Sequence, residues 1–312
     1  MGKVLVVGSS NMDIVIYVDK LPRLGETRLA KDVKFFYGGK GANQAVAIAK
    51  LGLEVSLIGR VGKDEFGSGL IENLNKNNID TSLVILDKTA KTGTAYITVD
   101  AKGNNSILVN SGANSKLTVS DLKKNEGILK KYDYIILQME IPFKIVSYVI
   151  NIAKEMGKII IFNLSPATNI GDNLLKKIDF LVVNENELKF ILKMDDNNFI
   201  KTENFKDVFN ITKKLKINLV LTVGEKGSYY FGNDGSFLKS EPFNVNAVDS
   251  TASGDAFIGG FVFGLYKKYP IDKIMKIANA AGAYSVSHYG AQQSLPTKND
   301  LKKLTEKIMV MY

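Results

Sequence analysis

The chain has 312 residues, 45% of them hydrophobic, and a formal net charge of +9. It holds no cysteine and one histidine, His288, which excludes disulfides, thiolate nucleophiles, cysteine zinc sites and iron–sulfur clusters; no G-x-S-x-G elbow precedes His288 to build a Ser-His-Asp hydrolase. No apolar run reaches the roughly 18 residues of a membrane span, and the lysines are scattered rather than clustered with aromatics, so neither a membrane nor a nucleic-acid partner is expected.

Lys3–Val7 reads as a buried strand ending in the turn Gly8-Ser9-Ser10, and Ile14–Val18 as a second strand, with Asn11 and Asp13 where one hands over to the next. The N-terminal apolar run is too short for a signal peptide, which points to the cytoplasm. After the loop Leu21–Glu26, Arg28–Phe36 reads as a strand with one exposed face. Gly38-Gly39-Lys40-Gly41-Ala42-Asn43-Gln44 then feeds a helix ending near Gly52. It is not a Walker A loop, since no Ser or Thr follows Gly-Lys, and not G-x-G-x-x-G, since Gln44 stands at the last glycine position. Close backbone approach, a lysine and an amide suit a polyol at least as well as a phosphate. Glu54–Arg60 is a strand and Asp64–Asn77 an amphipathic helix. Val84–Leu86, Gly93–Val99 and Asn105–Asn110 are strands, the last two joined by a turn at Asp100–Gly103. Together with 14–18 and 28–36 they are expected to form a small, mostly antiparallel sheet beside the main body, a candidate lid.

Beyond Asn114 the pattern changes. Thr118-Val119-Ser120-Asp121 opens a helix with a capping-box-like pattern. Strand and helix then alternate: Tyr134–Met139, a helix after Pro142, Lys158–Asn163, a short helix, Phe180–Val183, a helix from Glu185, a helix near Asn204–Leu215, Leu219–Val223, and a hairpin across Ser228–Lys239. That rhythm predicts an α/β fold with a mostly parallel sheet between helical layers, and ligands at the carboxyl ends of its strands. From Gly254 onward the chain is mainly helical, including Asp272–His288 with its small face Asn279–Ala283.

Three stretches carry candidate chemistry, the last two of them directly after strands. In Asp249-Ser250-Thr251-Ala252-Ser253-Gly254-Asp255 a small polar turn runs into a buried apolar helix, whose positive end favours anions. Asp255 beside that turn is placed to take a proton from a nucleophile while the turn holds a phosphoryl group; a capped helix start is the bland alternative. Asn184 and Glu187, three apart on a first helical turn, suit Mg²⁺ and its waters or merely a helix cap. Thr222, Gly224 and Gly227 allow backbone approach to a nucleotide or simply form a hairpin turn.

The stretches Gly38–Ala45 and Asp249–Asp255 resemble the two signatures of the ribokinase-like (PfkB) carbohydrate kinases. Gly8–Asp13, Gln138-Met139-Glu140, Asn184-x-x-Glu187 and Gly290-Ala291-Gln292 extend the resemblance, in order, over essentially the whole chain. It implies a three-layer α/β/α kinase domain over 1–312 with a small β-sheet lid. The implied reaction is ATP-dependent phosphorylation of a sugar, D-ribose at O5 first, with 2-deoxyribose or another sugar or nucleoside as the alternative; a catalytically inactive sugar- or nucleotide-binding regulator is the alternative of another class. The family base matches Asp255, and the N–H groups of Ala252, Ser253 and Gly254 match its anion hole. Asn11, Asp13, Gly39, Lys40, Asn43 and Glu140 match sugar-contacting positions. Asn184, Glu187, Thr222, Gly224, Gly227 and Asn279 match positions on the ATP and Mg²⁺ side, Glu187 reaching the metal through water. Asp249 with carbonyls or hydroxyls of Thr251, Ser285, His288, Gly290 and Ser294 matches the ligands of an activating K⁺. The resemblance also implies a homodimer formed through the lid sheet.

The chain departs from the family pattern at three places. Ala252-Ser253-Gly254-Asp255 replaces Gly-Ala-Gly-Asp, Ile258 stands where Asn is common, and Leu164-Ser165-Pro166 replaces an Asn-Pro-Ala-Pro run. Ile258 is shared with kinases of 2-deoxyribose, whereas the amide of Asn11 is expected to pair a sugar hydroxyl and to discriminate against an analogue lacking it.

Overall fold

The computed structural model describes residues 3–124, 126–193 and 205–309. The first part of the chain gives β1 (Val4–Val7), β2 (Asn11–Tyr17), β3 (Asp32–Gly38), α1 (Lys40–Lys50), β4 (Val55–Gly62), α2 (Glu65–Lys76), β5 (Ile79–Asp80), β6 (Val84–Asp87), β7 (Gly93–Val99) and β8 (Asn105–Asn110). The alternating part gives α3 (Val119–Lys123), β9 (Tyr134–Leu137), α4 (Phe143–Glu155), β10 (Ile159–Asn163), α5 (Asp172–Leu175), β11 (Phe180–Asn184), α6 (Glu185–Leu192), α7 (Phe205–Leu215) and β12 (Asn218–Thr222). Then follow β13 (Ser228–Phe231), β14 (Phe237–Ser240), α8 (Ser253–Tyr266), α9 (Ile271–Val286) and α10 (Lys298–Met309). The expected helix at Asn204–Leu215 begins at Phe205; Asn204 lies outside the described residues.

The large sheet has ten strands in the order β14-β13-β12-β11-β10-β9-β1-β4-β5, with β6 paired to β4. It is parallel from β12 to β5 and antiparallel only at β12–β13 and β13–β14. The central strands are continuous apolar runs because helices cover both faces. Leu5, Val7, Ile135, Leu137, Phe162 and Leu181 pack toward α4 and its neighbours. The alternate residues Val4, Val6, Ile136, Ile161 and Val182 pack toward α1, α8 and α9. On that second face the helices come very close. A Cβ at Gly259 of α8 would meet the Cβ of Ala47 in α1 at 2.6 Å, and one at Gly260 would meet the Cα of Ala278 in α9 at 2.9 Å. The small face read in α9 therefore admits α8. Among the described residues no helix is long and apolar enough to cross a membrane.

A second sheet of four strands has the order β3-β2-β7-β8, with only β2–β7 parallel. It corrects the sequence reading in three respects. Val84–Leu86 is not part of it: β6 pairs in parallel with β4, Gly59 opposite Val84, because a short apolar run carries no information about its partner. The strand read at 28–36 is β3 at 32–38, its register fixed by Asn11↔Gly38 and Tyr17↔Asp32. Asn11 and Asp13 lie inside β2, which only Gly8, Ser9 and Ser10 separate from β1.

Candidate active site

The carboxyl ends of β1, β9 and β10 meet the N-termini of α1 and α8. Gly39, the N-cap of α1, has φ 86°, and a Cβ there would lie 2.7 Å from the amide nitrogen of Asn11; only glycine suits both the backbone and the space. Gly39 leaves α1 without a side-chain cap of its own. Glu140, just past β9, takes that place: its Oε2 accepts the Lys40 backbone N–H at 3.0 Å and the Ser9 hydroxyl at 2.6 Å. An acid at a helix N-terminus is favoured by the helix dipole.

Asp255, in the first turn of α8, is buried and accepts two amide N–H groups. Asn43 Nδ2 donates to its Oδ2 at 3.1 Å and Gln44 Nε2 to its Oδ1 at 2.9 Å. Both donors are themselves held. Gln138 Nε2 donates to Gln44 Oε1 at 2.6 Å, Gln292 Nε2 to Asn43 Oδ1 at 3.1 Å, and Asn73 Nδ2 to Gln292 Oε1 at 2.6 Å. A line of side-chain amides thus fixes the carboxylate from both sides. Burial pushes the Asp255 pKa up; Lys40 and the N–H groups of Gln44 and Asn43 oppose that rise, and Glu140 adds to it. Asp13, 8% exposed, is pushed up to about 7, first by burial and then by the charges of Glu140 and Asp255. Burial alone would depress the Lys40 ammonium, but Asp255, Glu140 and Glu187 outweigh it and hold its pKa above the usual value. The cleft thus holds several carboxylates around one ammonium.

The turn before Asp255 has Ala252 at φ 58°, ψ 8°, the left-handed region, again with no side-chain cap on the helix. This is where the family pattern has its first glycine, and the sequence alone gave no sign that the position needs φ above zero. Among the described residues the N–H groups of Ala252 and Gly254 have no protein partner, while that of Ser253 turns to the Ser250 carbonyl at 3.3 Å. A Cβ at Gly254 would meet nothing within 4 Å. The turn therefore presents free N–H groups at an open helix N-terminus, which binds anions. Of the expected trio, Ser253 is the one whose N–H is engaged elsewhere.

Asn11 sits on the other side of Gly39, at the root of the small sheet, and its Oδ1 accepts from Asn114 Nδ2 at 2.7 Å. Asp13 is tucked against Gly38, where a Cβ would lie 2.0 Å from Asp13 Oδ2. Of the residues expected around the sugar, Asn11, Asp13, Gly39, Lys40, Asn43 and Glu140 thus converge with Asp255.

The residues expected on the nucleotide side divide. Asn184 and Glu187 form a reciprocal capping box: Glu187 N–H donates to Asn184 Oδ1 at 2.9 Å and Asn184 N–H to Glu187 Oε2 at 2.8 Å. The bland reading of that pair is realised, and the charge of Glu187 is still within electrostatic reach of Lys40, whose ammonium it helps to favour. Thr222 donates weakly to the Val183 carbonyl at 3.4 Å. Gly224 has open space at its Cβ position, whereas a Cβ at Gly227 would strike the Ser240 carbonyl at 2.3 Å. Asn279 Nδ2 donates to the Ser240 carbonyl and hydroxyl and the Glu241 carbonyl, each at 3.0 Å. Gly227 and the amide nitrogen of Asn279 therefore hold the exit of β14.

The residues expected around K⁺ form two groups. Asp249 Oδ1 accepts the Thr251 N–H and Oδ2 the Gly290 N–H, both at 2.9 Å, which ties two loops together. The hydroxyls of Ser285 and Ser294 meet at 2.8 Å, and Ser294 donates to the Ala291 carbonyl at 2.7 Å. The His288 ring is exposed, bonded through Nδ1 to the Tyr284 carbonyl and stacked on the Tyr284 ring at 4.2 Å, so its side chain does not join them.

Sequence reasoning missed Gln44, Gln138, Asn114 and Gln292 as members of the site. Three of them stood in stretches already singled out, and Asn114 was noted only as the point where the pattern changed. Their partners lie 94 to 249 positions away, so no local pattern could reveal their roles.

A buried carboxylate in the first turn of a helix whose N-terminal N–H groups are free, within an α/β/α sandwich carrying a small second sheet, is the arrangement of a carbohydrate-kinase class of protein. The model of the pfkB family of carbohydrate kinases matches residues 1–298. The chain is 34% identical to a ribokinase of Staphylococcus aureus, covering 97% of this chain and 99% of that one, and 36% identical to a deoxyribokinase of Salmonella typhi, covering 94% and 95%. The structure of an Arabidopsis thaliana ribokinase complexed with ribose and ATP is similar at a TM-score of 0.86 and 30% identity, covering 97% of this chain and 98% of that one. The chain belongs to the pfkB family of carbohydrate kinases.

Proposed function

We propose that this kinase transfers the γ-phosphoryl group of ATP to O5 of D-ribose, giving ribose 5-phosphate and ADP. The observation that carries the reading is Asp255: a buried carboxylate gripped by two amides, in the same helical turn as free anion-binding N–H groups. Asp255 takes the O5 proton as O5 attacks the γ-phosphorus. The bond to the β–γ bridging oxygen breaks in line, and ADP leaves with that electron pair. The N–H groups of Ala252 and Gly254 receive the charge on the transferring phosphoryl oxygens. Lys40 offsets the negative charge gathered around the sugar, and Asn11, Asp13, Asn43 and Glu140 offer its hydroxyls donors and acceptors. The S. aureus and A. thaliana relatives carry this activity or these ligands in their names.

Two ions fit the residues present. Glu187 keeps one carboxylate oxygen outside its capping box, which suits Mg²⁺ held mainly by phosphates and water and touching the protein through water; no cluster of three acidic ligands exists among the described residues. Asp249, whose carboxylate accepts the N–H groups of Thr251 and Gly290 and so draws their two loops together, offers the one negative charge that K⁺ would need there, with carbonyls or hydroxyls as the family resemblance implies. Bound there, K⁺ would neutralise Asp249 and hold these loops next to the anion-binding turn. Use of ATP fits the cytoplasm.

The whole chain is read as one kinase domain whose small sheet serves as lid and as the contact of a homodimer. Val33, Phe35, Tyr96 and Leu108 share one face of that sheet and are exposed apolar residues, a patch that suits a contact between subunits. Sedimentation should give a dimer, and Leu108→Lys a monomer.

The 36% identity to a deoxyribokinase favours 2-deoxyribose as a second reading. Ile258, the residue that suggested it, is 1% exposed and packed in the core of α8. Coupled ATP turnover against ribose and 2-deoxyribose, each in potassium and in sodium alone, separates the readings. Ribose-dependent, potassium-stimulated turnover is expected. Preference for 2-deoxyribose would move the substrate, and absence of turnover with any sugar in folded protein would refute the function.

A further inference from the structure

Asn114 lies in the 3-10 turn Gly112–Lys116 that follows β8, and is 1% exposed. Its side chain is fully bonded. Oδ1 accepts the Ser10 N–H at 2.9 Å, while Nδ2 donates to the Ser10 carbonyl at 3.1 Å and to Asn11 Oδ1 at 2.7 Å. A backbone N–H can only donate, so the oxygen of Asn114 must face Ser10 and its nitrogen must face Asn11. That in turn decides which end of the Asn11 amide faces Asn114: the oxygen. The NH₂ group of Asn11 is turned the other way and has no hydrogen-bond partner among the described residues. Asn11 shares its face of β2 with Asp13, which the charges of Glu140 and Asp255 reach, so that NH₂ group lies on the cleft side of the strand. The approach of the two amides depends on Gly93, where a Cβ would stand 2.3 Å from both Asn11 Oδ1 and Asn114 Nδ2.

We infer that Asn114 is the positioning residue that sets sugar specificity, by presenting Asn11 to the sugar as a hydrogen-bond donor and never as an acceptor. The inference rests on reading the cleft as a sugar-kinase site. Asn11 stands on the small-sheet side of Gly39, and the Asp255 oxygens are held by Asn43 and Gln44 instead, so its donor is assigned to a ring hydroxyl other than the reacting one. A free amide flips between donor and acceptor at little cost; one locked by a backbone-anchored partner does not, and it favours a hydroxyl oriented to accept.

The test is Asn114→Asp. Asp keeps the shape and still accepts from Ser10, but its second oxygen can only accept. The Asn11 amide then turns round and offers its oxygen to the cleft. The KM for ribose should rise ten- to a hundredfold, with kcat and the KM for ATP changed by less than about threefold. Asn11→Asp, which keeps the bond from Asn114 and replaces only the donor, should reproduce the rise and guards against a folding failure of the first variant. In an Asn11→Ala background Asn114→Asp should add nothing, which a purely structural role would not predict. An unchanged sugar KM in either Asp variant, or an equal loss in the Asn11→Ala background, overturns the inference while leaving the kinase reading intact. A wild-type protein that phosphorylates no sugar overturns both.

Discussion

Replacing Gln44 by Met tests whether the amides around Asp255 tune it or merely fill space. Met keeps the length of the side chain and removes its polar end. Asp255 Oδ1 loses a donor at 2.9 Å and Gln138 Nε2 loses an acceptor at 2.6 Å, both in the interior. A hydrogen bond to a charged group contributes about 1.5–3 kcal/mol, which corresponds to a rise of about one to two pH units in the titration of Asp255. The sign follows from the bond: Gln44 favours the carboxylate, so its loss favours the protonated, inactive form. The acid limb of the kcat/KM–pH profile should move up by about one unit or more, and stability should fall by about 2–4 kcal/mol. The profile is measured by coupled assay at saturating ATP, in wild-type and Asp13→Asn backgrounds, so that titration of Asp13 is not mistaken for that of Asp255. A limb that stays in place in folded Gln44→Met protein would refute the tuning role.

Asp255→Asn should lower turnover by at least ~10²–10⁴ with little change in ribose binding by calorimetry; near-normal turnover would sink the mechanism. Asp13 has its pKa raised from 3.8 to about 7 in the folded protein, so its contribution is complete below the unfolded value and is lost as pH rises through about 7. Ligand-free stability should therefore fall by roughly 4 kcal/mol between pH 4 and 8, and chemical denaturation of Asp13→Asn should show that slope removed. Ala252→Gly relieves a left-handed alanine and should stabilise by about 1 kcal/mol, or near 2 °C in melting temperature. Asp249→Ala should abolish the difference in turnover between potassium and sodium.

The sandwich was legible because its signal is repetitive: apolar runs such as Val4–Val7 and Tyr134–Leu137 alternate with helical patterns. The Asp255 turn was legible because small residues, an acid and an apolar helix follow one another directly. What stayed hidden is whatever depends on a distant partner. Val84–Leu86 had no way to announce β4 as its neighbour. Asn184-x-x-Glu187 spells a capping box and a metal-side pair with the same letters, and the box is what the hydrogen bonds form. Gln44 was read only as a glycine that was missing, because Gln138 lies 94 positions on and Asp255 lies 211.

The line of amides also bears on how the site comes into being. Asn43 meets Asp255 across 212 positions and Gln292 across 249. Contacts of such separation form only after the intervening chain has been ordered by its own local and sheet contacts. The catalytic carboxylate is therefore among the last groups to acquire its native surroundings. A chain interrupted before Gln292 keeps both signature stretches, and its Asp255 lacks the brace that Gln292 gives Asn43. Activity thus reports completed folding more stringently than secondary structure does, and recovery of turnover during refolding should lag behind recovery of the far-ultraviolet signal.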